Sequence, residues 1–137
     1  MKIHEAQKRV AEFMVAGGQL AERPKKAQIP DEATMERRIA MLMEEAYELS
    51  DAWEAGDIVG VADAWADIFY VLLGGVEECG IDLQPTFAVV AEANNRKIDW
   101  KAEPPRPFAT REDGKILKPE GWVGPEGVIA VLLQTER

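Results

Sequence analysis

Between Ala62 and Val76 the chain carries only two charges, Asp63 and Asp67, and the run Ile68 to Leu73 spreads apolar side chains around nearly the whole helix circumference. A helix apolar on every side has to be covered by other helices. An aspartate on it has to meet a cation or hydrogen-bond donors, because an isolated carboxylate in an apolar interior is very costly. This segment, expected as a helix from Ile58 to about Cys79 with a stop at Gly80, therefore demands an all-α bundle. Its longest uncharged run, Ile68 to Val76, falls well short of the ~20 residues that span a bilayer, so no membrane partner is expected.

Three further stretches supply the partner helices. The first runs from Ile3 to about Val15, with Ile3, Val10, Phe13 and Met14 roughly on one face, and stops at Gly17-Gly18. A connector marked by Pro24 and Pro30 leads to Asp31, an N-cap candidate for a second helix ending near Glu54. Its apolar stripe is Met35, Leu42, Ala46, Leu49 and Trp53, and Ala55-Gly56-Asp57 reads as a stop followed by a new cap. Pro85 suits the first turn of a fourth helix that extends through Lys97. Beyond Trp100, three prolines and the Asp113-Gly114 turn signal end helical character. Lys115-Ile-Leu-Lys118 alternates as a short strand would, and Val128 to Leu133 is a last apolar piece in an otherwise irregular tail. The expectation is a single domain over residues 1–137, an antiparallel bundle of about four helices (core about 3–100) with an irregular C-terminal arm (about 101–137).

Charge and cysteine content narrow the partners. Acids outnumber bases 25 to 16, and a net charge of −9 repels polyanions, which argues against a nucleic-acid polymer. Cys79 is the one cysteine and has no internal disulfide partner, and Glu5 stands where a signal peptide would be apolar. A cytoplasmic setting is expected.

The acids themselves carry the chemistry. With Leu42 at zero on a helical wheel, Glu45 lies at about −60°, Glu48 at about −120° and Glu44 at about −160°, one flank beside the apolar stripe. Asp63 and Asp67, four residues apart, share a face of the third helix, and like charges at that spacing repel unless a cation sits between them. Arg37 and Arg38 are the only bases in the second helix and both precede these acids. Glu77, Glu78, Asp51 and Glu54 read as ordinary solvated acids. Carboxylates without thiolate, and with His4 the sole histidine, favour Mg²⁺ or Mn²⁺ and exclude a ferritin-like di-iron site, which needs Glu-x-x-His pairs. Hard cations held this way commonly act on phosphates, which points to hydrolysis of a phosphoanhydride.

The pattern Glu44-Glu45-Ala-Tyr-Glu48, then Asp63-Ala-Trp-Ala-Asp67-Ile-Phe-Tyr70, then Asn94-Asn-Arg-Lys97 and Asp113-Gly-Lys115-Ile-Leu-Lys118-Pro-Glu-Gly-Trp122, resembles the all-α nucleoside triphosphate pyrophosphohydrolases, MazG-like and phosphoribosyl-ATP pyrophosphohydrolase-like. The resemblance spans about residues 35 to 125. It implies Mg²⁺-dependent cleavage of a (deoxy)nucleoside triphosphate to the monophosphate and pyrophosphate, an activity that suits house-cleaning of the nucleotide pool. Matched by position, Glu45, Glu48 and Asp67 are metal ligands and Glu44 activates the water. Ala64 stands where the second half of the family's motif has its glutamate, three before Asp67, and Asp63, four before, is the substitute ligand. Asn94 and Lys97 match triphosphate contacts, with Lys115 and Lys118 as further candidates. A lysine near a helix C-terminus or on an alternating strand edge is equally at home for structural reasons. Of Trp53, Trp65, Trp100 and Trp122, the last, in a Gly/Pro-rich arm, is the candidate to stack a base; the others fit a core better. The alternative is a non-catalytic acidic interaction module whose metal site decayed at Ala64. The all-round apolar third helix, together with the oligomeric habit of the family, leads to the expectation of a homodimer or homotetramer.

Overall fold

Asp31 and Asp57 each accept a backbone N–H from three residues on, Thr34 at 2.8 Å and Gly60 at 3.0 Å, and so cap the two longest helices. In the computed structural model, which describes residues 1–137, the helices are α1 (Ile3–Ala16), α2 (Glu32–Glu54), α3 (Ile58–Glu78), α4 (Leu83–Asn95) and α5 (Glu126–Leu132). The first four begin and end within about two residues of the punctuation read from the sequence. Gly56 closes the α2–α3 turn at φ +68°, a left-handed conformation that glycine adopts without steric cost. Gly80, at φ +65°, lies so close to the Lys26 carbonyl that any Cβ would collide with it.

The chain forms two compact units. The first, residues 1–83 with 136–137, holds α1 to α3. The α2–α3 hairpin is its largest packing, and α1 lies along α3. Its core is small: Val10, Met14 and Leu73, with Ala6, Leu20, Leu72 and Leu83 against them. The second unit, residues 84–135, holds α4, a two-residue ribbon pairing Ile98–Asp99 antiparallel to Arg106–Pro107, and α5. Two tail expectations change here. The alternating segment at Lys115–Lys118 makes only an isolated bridge, Thr110 to Ile116, and the last apolar piece is helical as α5. Pro125 just ahead of α5 and Glu126 in its first turn suit a helix start, since the proline φ is already helical and an acid there favours the dipole.

Two other expectations are corrected within the first unit. α3 is not covered all round: Trp65, Phe69 and Tyr70 are exposed in the single chain, while Ala64, Val71 and Leu73 are buried. At 21 residues α3 is long and apolar enough by composition to cross a bilayer once its aspartates are tolerated, yet its C-terminal half packs among charged partners. Those partners meet Glu77 and Glu78, which are 0% and 4% exposed rather than solvated. Glu77 accepts hydrogen bonds from Gln7 (2.8 Å), Arg23 (2.6 Å) and Arg137 (2.8 Å). Glu78 pairs with buried Arg38 at 3.0 Å and with Arg37 at 3.5 Å. Gly74 makes room for the Arg38 guanidinium, since a Cβ there would lie 2.6 Å from Nη1.

Burial by itself pushes the Glu77 carboxyl up, but the hydrogen bonds from Arg23, Arg137 and Gln7 together outweigh it and hold the group below the ordinary glutamate range. A carboxyl depressed in the folded state contributes stability that is fully present above its unfolded value of about 4.3 and is lost as pH falls through the lower folded value. Urea midpoints measured down a pH series are therefore expected to fall in acid. The Glu77→Gln variant should be less stable at neutral pH and flatter below pH ~5. Equal acid slopes for variant and wild type would contradict this.

Candidate active site

α2 and α3 bring three acids together. Glu45 and Glu48, one turn apart on α2, face Asp67 of α3, and one carboxylate oxygen from each lies within 4.8 Å of the others. The close approach follows from local structure: the short Gly56 turn makes the helices neighbours, and both carry these acids beside their packed stripes. Glu45 Oε2 is fully shielded from solvent and has no hydrogen-bond partner. Its burial pushes the Glu45 carboxyl up, and the Glu48 and Asp67 charges push it further. A hidden, unpartnered carboxylate oxygen beside two more acids is the environment a hard cation relieves. The all-oxygen donor set suits Mg²⁺ or Mn²⁺.

The other two acids named from the sequence lie differently. Glu44 is exposed beside Glu45, near enough that its charge adds to the raised proton affinity there. Asp63 is exposed and stands outside the three-acid group, whereas Ala64 is buried at 3% exposure. The helix thus turns position 64 inward and leaves the shorter aspartate about 100° away from it.

The substrate-contact candidates gather in the second unit. Lys97 Nζ donates to Asn94 Oδ1 at 2.8 Å, and both line a cavity of about 530 Å³ with Lys115. The ammonium groups of Lys97 and Lys118 lie 4.9 and 5.4 Å from the ring centre of Trp122. A second cavity, of about 730 Å³, is lined by Trp122, Lys118, Arg96 and Phe108. Phe108 carried no motif in the sequence, and Arg96 stood inside the Asn94-Asn-Arg-Lys97 piece without a role assigned to it. Trp53 and Trp65, assigned above to a core, are 71% and 59% exposed. They line an apolar cavity of about 370 Å³ between α2 and α3 with Ala46, Leu49, Ser50 and Val61.

No curated protein matches the chain significantly. A family model for phosphoribosyl-ATP pyrophosphohydrolase matches residues 10–94, which hold α2, α3, the three-acid group and Asn94. The match covers well over half of the chain, and with the all-α hairpin that carries those acids it identifies the protein as a member of the phosphoribosyl-ATP pyrophosphohydrolase family, within the MazG-like all-α pyrophosphohydrolases.

Proposed function

We propose that this family member hydrolyses (deoxy)nucleoside triphosphates between the α- and β-phosphates in a Mg²⁺-dependent reaction. The observation that carries the reading is the buried, unpartnered Oε2 of Glu45 in a cluster with Glu48 and Asp67. Those three side chains would hold the cation. When bound, the cation makes water a better nucleophile and offsets charge on the phosphates. Glu44, exposed beside them, accepts the proton of the attacking water. Lys97, Lys115 and Lys118 neutralise the phosphate oxygens, and Asn94 orients Lys97 through the bond it accepts. Trp122 was the base-stacking candidate, and its two lysine neighbours favour a part at the phosphates instead.

A panel of nucleoside triphosphates, with phosphoribosyl-ATP beside them, tests the substrate. Stoichiometric monophosphate and pyrophosphate, formed only with Mg²⁺ or Mn²⁺, are expected from one or more triphosphates. Release of orthophosphate, or cleavage of phosphoribosyl-ATP alone, would overturn the assignment. The buried Ala64 favours one rival, a decayed interaction module. That rival requires that calorimetry detect no Mg²⁺ binding, with or without a non-hydrolysable nucleotide.

We further propose a homodimer or homotetramer. Ile39, Met43 and Tyr47 on α2 and Trp65, Phe69 and Tyr70 on α3 are large, apolar and exposed in the single chain, more than a monomer ordinarily leaves open on one hairpin. Light scattering at micromolar concentration should give a small multiple of 15.2 kDa, and a monomer mass removes the claim.

A further inference from the structure

Most arginines of this chain find a carboxylate. Arg23 and Arg137 meet Glu77, Arg37 and Arg38 meet Glu78, Arg96 meets Glu92 and Arg111 meets Asp113. Lys97, Lys115 and Lys118 form no ion pair, although acids outnumber bases by nine. Two of the three meet an aromatic face instead, with Nζ of Lys97 at 4.9 Å and Nζ of Lys118 at 5.4 Å from the Trp122 ring centre. The ring is itself anchored: its indole N–H donates to the Ala93 carbonyl in the last turn of α4 at 2.7 Å. Arg96 ties the next residue of the arm down, donating to the Val123 carbonyl at 3.1 Å.

Each ammonium is attracted by the negative π-face of the indole, so one ring draws both lysines toward it although neither has a carboxylate partner. We infer that Trp122 is a positioning residue, whose indole holds Lys97 and Lys118 close to one ring as a preformed receptor for the pyrophosphate moiety of the substrate. The inference rests on the proposed reading of these lysines as phosphate contacts. Pyrophosphate concentrates negative charge on adjacent phosphorus centres and is best met by more than one cation at once. Free lysine side chains would each lose rotamer freedom on binding it. Lysines already resting on a fixed ring, one of them also bonded to Asn94 at 2.8 Å, have lost part of that freedom beforehand.

Two replacements separate the ring from its hydrogen bond. Trp122→Phe and Trp122→Leu both lose the N–H donated to Ala93, and only phenylalanine keeps an aromatic face. The probe is inorganic pyrophosphate titrated calorimetrically into the full chain with divalent cations chelated. Trp122→Leu is expected to bind it about 10-fold more weakly than wild type, and Trp122→Phe within about 3-fold of wild type. With a triphosphate substrate, the leucine variant should lose more in KM than in kcat. Trp122→Met takes the place of leucine if that variant does not fold. Equal losses for phenylalanine and leucine, or no loss for leucine, overturn the positioning role while leaving the phosphate contacts standing. Unchanged pyrophosphate binding by the Lys97→Ala/Lys118→Ala double variant removes the contacts themselves and this inference with them.

Discussion

Glu48→Gln is expected to lower pyrophosphate release by at least about 100-fold. Glutamine keeps the length and shape of the side chain and removes the charge that a hard cation requires of its ligand. Losing the cation costs both the activated water and the charge stabilisation on the phosphates. The fold should survive. Glu45, Glu48 and Asp67 hold their oxygens within 4.8 Å of one another, so removing one charge relieves repulsion, and apo stability should hold or rise by a few tenths of a kcal/mol. Asp63→Asn serves as the internal comparison. Asp63 is exposed and outside the group, so its variant should stay within about 3-fold of wild type, as surface changes away from a site usually do. If Asp63→Asn were as damaging as Glu48→Gln, Asp63 would have to join the metal in the assembled enzyme, and a three-carboxylate site would be wrong. Full Mg²⁺-dependent activity in both variants would place the metal elsewhere.

The largest effect on stability is expected from Arg38→Met. Arg38 is 5% exposed and donates to Glu78 at 3.0 Å, and Glu78 is itself 4% exposed. Removing the cation strands a buried carboxylate, a change that typically costs about 3–5 kcal/mol. At this chain length that corresponds to a drop in Tm on the order of 10–20 °C. Arg37 reaches the same carboxylate at 3.5 Å, but its side chain is 56% exposed. Water screens that contact, so Arg37→Met should cost under about 1 kcal/mol. Adding Glu78→Leu to Arg38→Met should recover much of the loss, because no buried charge then remains unpaired. Thermal or urea unfolding of the four proteins decides the matter. Equal losses for the two arginines would mean that burial does not govern this pair.

The punctuation of the helices was legible because it is local. Asp31 and Asp57 cap through N–H groups three residues away, and Gly56 and Gly80 take positive φ angles that their neighbours in sequence already suggest. The grouping of Glu45, Glu48 and Asp67 was also within reach, because helical periodicity sets the face of each acid and a short turn sets which helices meet. The family pattern added the order of the remaining pieces.

What the tertiary structure alone decided are the environments made by residues remote in the chain. Glu77 and Glu78 look like any exposed acids near a helix end. They are buried because Gln7, Arg23, Arg38 and Arg137, up to 70 residues away, converge on them. Trp65, Phe69 and Tyr70 look like core and are exposed, because α1 and α2 cover only part of α3. Asp63 and Ala64 are neighbours in sequence, yet packing turned the alanine inward and left the acid in solvent. Trp122 gained its lysine partners only when the arm folded back on the end of α4. Periodicity reports which face of a helix a side chain occupies; what meets that face depends on long-range contacts, and these no local pattern of residues encodes.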